Sequence, residues 1–384
     1  MIRFAACSAS LVLTLAVSVF SRNGPPTPQS LELKPEWNID LKKYGSRPSR
    51  NGYFGAPDNP GSISSVACGH SVVAVTIDEQ IVFFSIETSK VVGAKDLSLF
   101  PITRRHAGGF ARISSADDER FLVELNEPAL YGGEARQRIV LIDSQGSVIH
   151  SLVFSNTTGS FPVVGFAVST TGKSFLLCKF DSDERHFQLR DSSTFALKQS
   201  WSAKKSRLNL TSLSDDMLLS VQPQPLGPGS HAGKEQPVEI GLPGTEPHQI
   251  AEVSAGGASV LADDRIVVIH ANELSADLVD DSGRVMRTYN VPFSAPHLYF
   301  QVASIAPDGR YFAAHFLGQK VFFLPGREYL YLWCVDQSDP IAAVHFKWDR
   351  YYESQSAFCS DDRKFAVVNN EHLELFNLAN RMTR

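Results

Sequence analysis

Short apolar runs, joined by tight polar turns, recur along the chain. In the stretch SIAPDGRYFAAHF, residues 304–316, one apolar alternation leads into the turn Pro307–Arg310 and a second leads out of it. A two-residue period predicts β-strands, and Asp-Gly between two such runs predicts a hairpin. No segment after the first 21 residues shows a 3.6-residue period, so we expect few helices.

The hairpin pattern is repeated. Copies begin at residues 62, 110, 164, 208, 257, 304 and 354. A second strand–turn–strand pattern follows each copy and is weakest in the fourth, so the unit holds four strands in about 48 residues. A four-stranded meander leaves its faces exposed, whereas radial stacking buries each face on a neighbour. We therefore predict an all-β chain that forms a seven-bladed β-propeller of four-stranded antiparallel blades.

The two ends of the chain are predicted to share one blade. The last unit offers three strands, SQSAFCS, KFAVVNN and LELFNL, and PEWNIDL at residues 35–41 has strand character. We expect this N-terminal strand to complete the last blade and close the ring. The propeller would then be a single domain, residues 35–384, preceded by a flexible Pro-rich segment at residues 22–34.

The first 21 residues have the features of a secretory signal peptide. Arg3 precedes an apolar run at residues 4–20, and Ser21 offers a small residue for cleavage. The alternatives are an uncleaved membrane anchor, for which the run is slightly short, and a mispredicted start of the chain. The prediction is a secreted or periplasmic protein with no stable membrane span after cleavage.

Four cysteines follow this segment, namely Cys68, Cys178, Cys334 and Cys359. An even number in an exported chain permits two disulfides. The spacings are long and irregular, and each cysteine lies in an apolar run, so buried free thiols are the favoured interpretation. Without a CxxC pair, we expect no structural zinc site.

Charge and motifs exclude several functions. The formal net charge of −5 gives no basic bias, so we expect no nucleic-acid partner. The chain has no G-x-S-x-G, P-loop, H-E-x-x-H or G-x-G-x-x-G motif, and we expect no cofactor and no metal site. His270 and His315 end apolar strands and are interpreted as core or channel-lining residues. Four Asp pairs in the hairpin turns suit turn formation; binding of calcium is the alternative.

The hairpin at residues 304–316 and its six relatives resemble the repeats of WD40-like and YncE-type β-propellers, in which a Ser-Pro-Asp-Gly turn followed by Arg or Lys precedes an apolar strand. The resemblance covers roughly residues 60 to 384. It implies an exported bacterial propeller. It implies no catalytic or binding residues.

Long segments are predicted to gather on one face. In a propeller, the second-to-third strand loops and the blade-to-blade connections share a face, and insertions mark the working face. These segments contain Trp, Tyr, Arg and His residues, and the first three types are enriched at binding hot spots. The candidate binding residues are Arg104, Arg105, His106, Arg136, Tyr299, Arg327, Trp348, Arg350, Tyr351 and Tyr352. The alternative is that these aromatic residues fill space between blades and the arginines are solvated.

The sequence favours an exported binding or scaffold module. We expect it to be a monomer that presents the long-loop face to a protein, a peptide or a component of the cell envelope. The rival function is a lactonase-like propeller hydrolase, with His and carboxylate residues at the mouth of the central channel and possible dependence on a metal. A propeller retained only for structural assembly is the third possibility.

Overall fold

The computed structural model describes most of the predicted repeat region. The described residues are 31–44, 63–77, 80–97, 111–127, 135–156, 164–180, 184–204, 210–215, 218–221, 235–241, 245, 248–254, 257–270, 275–291, 299–317, 327–347, 354–369 and 372–382.

The strands of the described residues form seven four-stranded sheets. Sheet 1 contains β2 (Ile63–Cys68), β3 (Val72–Ile77), β4 (Gln80–Ser85) and β5 (Val91–Asp96). Sheet 2 contains β6 (Ala111–Ser115), β7 (Arg120–Glu127), β8 (Ala135–Asp143) and β9 (Val148–Asn156). Sheet 3 contains β10 (Val164–Val168), β11 (Ser174–Phe180), β12 (Glu184–Asp191) and β13 (Leu197–Lys204). Sheet 4 contains β14 (Leu210–Leu213), β15 (Leu218–Val221), β16 (Glu235–Gly241) and β17 (His248–Ser254).

The remaining strands belong to three further sheets. Sheet 5 contains β18 (Ala258–Val260), β19 (Ile266–His270), β20 (Ser275–Val279) and β21 (Val285–Tyr289). Sheet 6 contains β22 (Tyr299–Ile305), β23 (Tyr311–Leu317), β24 (Arg327–Cys334) and β25 (Pro340–Lys347). Sheet 7 contains β26 (Gln355–Phe358), β27 (Lys364–Asn369), β28 (His372–Asn377) and β1 (Pro35–Asp40).

Sequence order and sheet order agree within sheets 1 to 6, where each strand pairs antiparallel with the next. Sheet 7 has the order β1-β28-β27-β26, with Trp37 opposite Leu375 and Ile39 opposite Leu373. The predicted all-β propeller of four-stranded antiparallel blades is therefore confirmed, and the residues predicted as an N-terminal strand pair with the last strand of the chain.

The hydrophobic core is divided among the joints between sheets. Seven buried clusters are present in the described residues, and each one combines side chains of two sheets that follow one another around the ring, including sheets 7 and 1. Trp333 and Phe312, stacked with ring centroids 5.3 Å apart, belong to the cluster between sheets 5 and 6. Because each sheet face is covered by a neighbour, both faces of a strand such as Val72–Ile77 are buried.

Residues 31–33 pack against the outer strand of sheet 6. Leu33 N–H donates to the Ala343 carbonyl at 2.9 Å, and Ala343 N–H donates to the Leu31 carbonyl at 2.7 Å. Leu31 and Leu33 also contact hydrophobic clusters on either side of sheet 6. These residues fall in the segment predicted to be flexible, whose earlier part lies outside the described residues together with the predicted signal peptide.

The cysteines correct one interpretation. Cys68, at the end of β2, and Cys359, directly after β26, form a disulfide with their Cα atoms 4.4 Å apart. Buried free thiols were favoured for all four cysteines, and this was wrong for two of them. Cys178 and Cys334 are free thiols, in agreement with that interpretation. The bond is therefore a covalent link between sheet 1 and sheet 7.

Helical structure is limited to two short turns in the described residues, a 3-10 helix at Leu41–Tyr44 and an α-helical turn at Ala379–Met382. A search of these same residues finds no helix with the length and apolar character needed to span a membrane.

Candidate functional site

The strand ends define two faces of the ring. The tight turns between the first and second strands and between the third and fourth strands of each sheet lie on one face, which we call the turn face. The second-to-third strand connections and the connections between sheets lie on the other, which we call the loop face. The sequence analysis assigned the predicted binding residues to the loop face.

Hydrogen bonds within the chain hold several aspartates of the turn face. Asp263 accepts from Arg265 Nε at 2.7 Å, and Asp308 and Arg310 form the same pair one sheet later. The bond to Asp263 raises the pKa of the Arg265 guanidinium. Asp361 accepts from the Arg363 backbone N–H at 3.0 Å. An aspartate two residues before an arginine therefore shapes three consecutive first hairpins, as expected from turn chemistry.

The second aspartate of these turns has a left-handed backbone conformation. Asp264 and Asp362 adopt φ angles of 64° and 55° in the left-handed region, and Gly309 occupies the equivalent place in sheet 6 with φ 73°. Aspartate tolerates this conformation better than most residues with a Cβ atom. Within the described residues, no three His, Cys, Asp or Glu side chains come together as a group that could hold a metal ion.

Three of the predicted binding residues lie on described strands. Tyr299 is the first residue of β22 and Arg327 is the first of β24, so both lie at the loop-face end of sheet 6. Arg136 lies near the start of β8, at the same end of sheet 2, and is exposed. The other seven, Arg104, Arg105, His106, Trp348, Arg350, Tyr351 and Tyr352, lie outside the described residues.

A buried polar cluster lies at the loop-face end of sheet 6. It consists of His315 on β23, Glu328 on β24 and Ser354 just before β26, and we call it the His-Glu-Ser cluster. Glu328 Oε1 contacts His315 Nε2 and accepts from the Ser354 hydroxyl. The same oxygen accepts from the Ser354 backbone N–H at 2.9 Å. Ser354 Oγ lies 3.3 Å from His315 Nε2.

The cluster has almost no access to solvent. The exposed fractions of His315, Glu328 and Ser354 are 1%, 0% and 7%. Removing a carboxylate from water is costly unless hydrogen bonds and charge replace its hydration. Oε1 receives that compensation, while Glu328 Oε2 has no hydrogen-bond partner among the described residues. The cluster therefore depends strongly on the contacts of one carboxylate oxygen.

The strand register explains the position of the cluster. Leu317 pairs with Glu328 and His315 pairs with Leu330, so His315 and Glu328 are diagonal neighbours on one face of the sheet. This spacing allows long side chains to interact. Glu124 and Gln137 in sheet 2 have the same diagonal relation, and Gln137 Nε2 donates to Glu124 Oε1 at 2.8 Å. Sheets 2 and 6 thus each bury a polar pair beside the connection between their second and third strands.

The cluster is suited to anchoring the chain. Glu328 lies on β24, an inner strand of sheet 6, and Ser354 directly precedes sheet 7. The hydrogen bonds between them therefore fix the end of the connection from sheet 6 to sheet 7 against sheet 6. In a Ser-His-acid triad, the serine and the acid contact different ring nitrogens. Here Glu328 and Ser354 both contact His315 Nε2, and the hydroxyl donates directly to the carboxylate.

Sequence reasoning placed His315 in the core but missed its partners. His315 is buried, as interpreted, whereas His270 is partly buried with Nε2 3.5 Å from Asp277 Oδ2. The sequence did contain a signal, because His315 and Glu328 lie on either side of one connection, each within two residues of a strand end. Both interrupt otherwise apolar alternations, where a polar residue needs a partner.

Comparison with known proteins gives structural similarity alone. No protein-family model matches the chain, and no curated protein matches its sequence. A chain of a mitotic checkpoint complex is 12% identical, with 93% of this chain and 97% of that chain covered and a TM-score of 0.49. Hsv2 of Kluyveromyces lactis is 10% identical, with 82% and 91% covered and a TM-score of 0.45. Hsv2 of Kluyveromyces marxianus is 8% identical, with 84% and 96% covered and a TM-score of 0.46.

Proposed function

We propose that this chain is an exported, seven-bladed β-propeller, closed by its N-terminal strand, that acts as a binding or scaffold module. Its loop face engages a protein, a peptide or a component of the cell envelope, and residues 348–352 form the centre of the contact. The observation that carries the proposal is the His-Glu-Ser cluster, which anchors one end of the segment that contains Trp348, Arg350 and Tyr352.

Anchoring at both ends favours binding. Residue Lys347 ends β25, and Ser354 is held by two bonds to Glu328, so six residues join two fixed points. Binding residues on a connection with fixed ends lose less conformational entropy when a partner binds. Trp, Arg and Tyr are also the residue types that contribute most to binding energy at protein interfaces.

The Cys68–Cys359 disulfide supports export. Disulfides form and persist in oxidising compartments and are uncommon in the cytosol of most organisms. Together with the apolar leader at residues 4–20, the bond supports a secreted or periplasmic location. The more detailed assignment to YncE-type bacterial propellers remains a prediction.

Affinity capture tests the proposed face. The bait is the chain from residue 22 onward, and the variant is W348A/R350A/Y352A. We expect the bait to capture a partner from the secreted and envelope fractions of the host and the variant to lose most of it, because truncated hot-spot residues cost at least about 2 kcal/mol each.

A matched triple substitution on the turn face serves as control. Lys90, Val91 and Arg284 are exposed there, and K90A/V91A/R284A should capture the partner as well as the unchanged chain does. Loss of the partner in the control but not in W348A/R350A/Y352A would place the contact on the turn face and contradict the proposal.

The hydrolase remains the second candidate because Ser354, His315 and Glu328 have the residue types of a nucleophile, a base and an acid. If the chain hydrolyses lactones or esters and S354A abolishes this activity while the protein remains folded, the enzyme is favoured. The shared contact at His315 Nε2 leads us to expect no such activity.

A further inference from the structure

The joint between sheets 6 and 7 becomes polar at its loop-face end. Leu330 and Val367 belong to the hydrophobic cluster between these two sheets. Side chains alternate between the two faces of a strand, so Glu328, two residues before Leu330, also faces sheet 7. By the same rule Asn369, two residues after Val367, faces sheet 6. The two polar side chains therefore face one joint from opposite sides.

Strand register brings Glu328 and Asn369 close together through Ser354. Gln355 pairs with Val368, so the next position of the register places Ser354 opposite Asn369. Ser354 donates to Glu328 Oε1 through both its backbone N–H and its hydroxyl. Glu328 and Asn369 are thus neighbours of the same residue, one across the joint and the other within sheet 7.

Both residues have a hydrogen-bond acceptor without a donor. Glu328 Oε2 and Asn369 Oδ1 are buried, and neither has a hydrogen-bond partner among the described residues. Glu328 as a whole is 0% exposed. A buried acceptor without a partner is costly, and the cost is larger for a carboxylate. Two such atoms beside one residue indicate that a further donor group completes the site.

We propose that this end of the joint is a binding cleft for a guanidinium group, which an arginine side chain of the partner supplies. A guanidinium group is planar and has five N–H donors in a fixed arrangement, so it can donate to Glu328 Oε2 and Asn369 Oδ1 together. Its charge also compensates the buried carboxylate, and hydrogen bonds between charged groups are stronger than those between neutral groups. The source of the arginine rests on the proposed binding function.

Phe346 favours a guanidinium group over an ammonium group. Phe346 pairs with Glu328 across β24 and β25, so the two side chains lie on the same face of sheet 6. Its ring is 8% exposed and belongs to the cluster between sheets 6 and 7. A guanidinium plane can stack on an aromatic ring while its edge donates hydrogen bonds, whereas an ammonium group is a compact point charge.

The outer part of the cleft is exposed and also carries acceptors. In β28 and β1, Glu374 lies opposite Asn38 and His372 lies opposite Asp40. Asn38 donates to Glu374 Oε1 at 2.6 Å, and Asn38 Oδ1 lies 3.0 Å from His372 Nδ1. Asn38, Asp40 and His372 are exposed, so a positively charged side chain can approach the buried acceptors from this rim.

Ligand-observed NMR of the full chain with N-acetylarginine amide tests the cleft. The matched probe is N-acetylcitrulline amide, which has a similar shape but no charge. We expect the arginine probe to bind and the citrulline probe to bind at least about tenfold more weakly, because it lacks the charge that strengthens a hydrogen bond to a carboxylate.

Two variants locate the binding. E328Q keeps the size of the side chain and removes its charge, so it should weaken binding of the arginine probe by about tenfold or more. N369A removes an acceptor that has no partner, so it should unfold at the same urea concentration as the unchanged chain and still bind the probe more weakly. E87Q makes the same change as E328Q at an exposed position and should bind the probe as the unchanged chain does.

Three results would overturn the proposal. The first is no binding of the arginine probe to the unchanged chain, in which case ordered water would satisfy the two acceptors. The second is equal affinity for the arginine and citrulline probes. The third is an unchanged affinity in folded E328Q, or in N369A if E328Q does not fold. Because the probes are used without the partner, failure here and failure of the affinity capture are separate results.

Discussion

Replacing Glu328 by alanine is expected to lower the free energy of unfolding by about 3–5 kcal/mol, because removal of one partner from a buried polar network leaves the others without compensation. His315 Nε2 and both donors of Ser354 would lose their contacts with Glu328 Oε1, in a site where all three residues are buried. Urea denaturation followed by intrinsic fluorescence measures the change, with the midpoint and the slope reported separately.

Graded variants distinguish the network from simple loss of volume. E328Q keeps the length of the side chain and one carbonyl acceptor, so it should cost less than E328A. S354A removes a single hydroxyl and should cost about 1 kcal/mol. E87A, at an exposed position in a turn of sheet 1, should change stability by less than about 0.5 kcal/mol. An E328A chain as stable as E87A would contradict the role given to the cluster.

Removal of the Cys68–Cys359 disulfide by C68A/C359A is expected to cost about 3–5 kcal/mol. The two cysteines are 291 residues apart in sequence, and a cross-link over a long loop greatly restricts the unfolded chain. In the folded protein the bond joins sheets 1 and 7, so its loss should also favour local opening of the ring at that joint. Urea unfolding gives the overall cost, and hydrogen exchange of β2 and β26 reports local opening.

Free cysteines provide the control for this experiment. C334A removes a partly buried thiol that takes no part in the disulfide and should cost much less than C68A/C359A. Peptide mapping after thiol labelling of the denatured chain should find Cys178 and Cys334 labelled without reduction, and Cys68 and Cys359 labelled only after reduction. Labelling of all four without reduction would show that the bond does not form.

Local patterns were enough to predict most of the fold. The alternation of apolar and polar residues and the Asp-containing turns are local properties, so each hairpin can be predicted from its own stretch of sequence. The strand character of residues 35–41 was also local, and these residues form β1, which ends at Asp40. The positions of Leu31 and Leu33 were missed because their partners lie on the outer strand of a distant unit.

Partners that are distant in sequence could not be identified without the arrangement of the sheets. Cys68 and Cys359 lie at the end of the first strand in their respective units, and equivalent positions become neighbours only where those two units meet. The sequence analysis predicted that the first and last units meet, but the spacing of the cysteines gave no reason to pair Cys68 with Cys359. The His-Glu-Ser cluster was missed because the diagonal pairing of His315 with Glu328 depends on strand register across a loop.

Most of the predicted binding residues come from connections, where the sequence gives residue types but no periodic pattern. Composition identified Trp348, Arg350 and Tyr352 as candidates, and the structure adds the anchor at Ser354. The proposed binding residues therefore lie in a segment between two strands, whereas the contacts that anchor Ser354 at the end of this segment depend on strand register.

Hydrogen exchange of the chain, alone and with the partner captured from the host, tests the central claim most directly. Binding at the loop face predicts slower exchange in peptides that contain residues 315–317, 327–328 and 347–354, while the turns at residues 308–310 and 361–363 remain unchanged. Protection confined to those turns, with no change at residues 347–354, would contradict a recognition face at the connection between sheets 6 and 7.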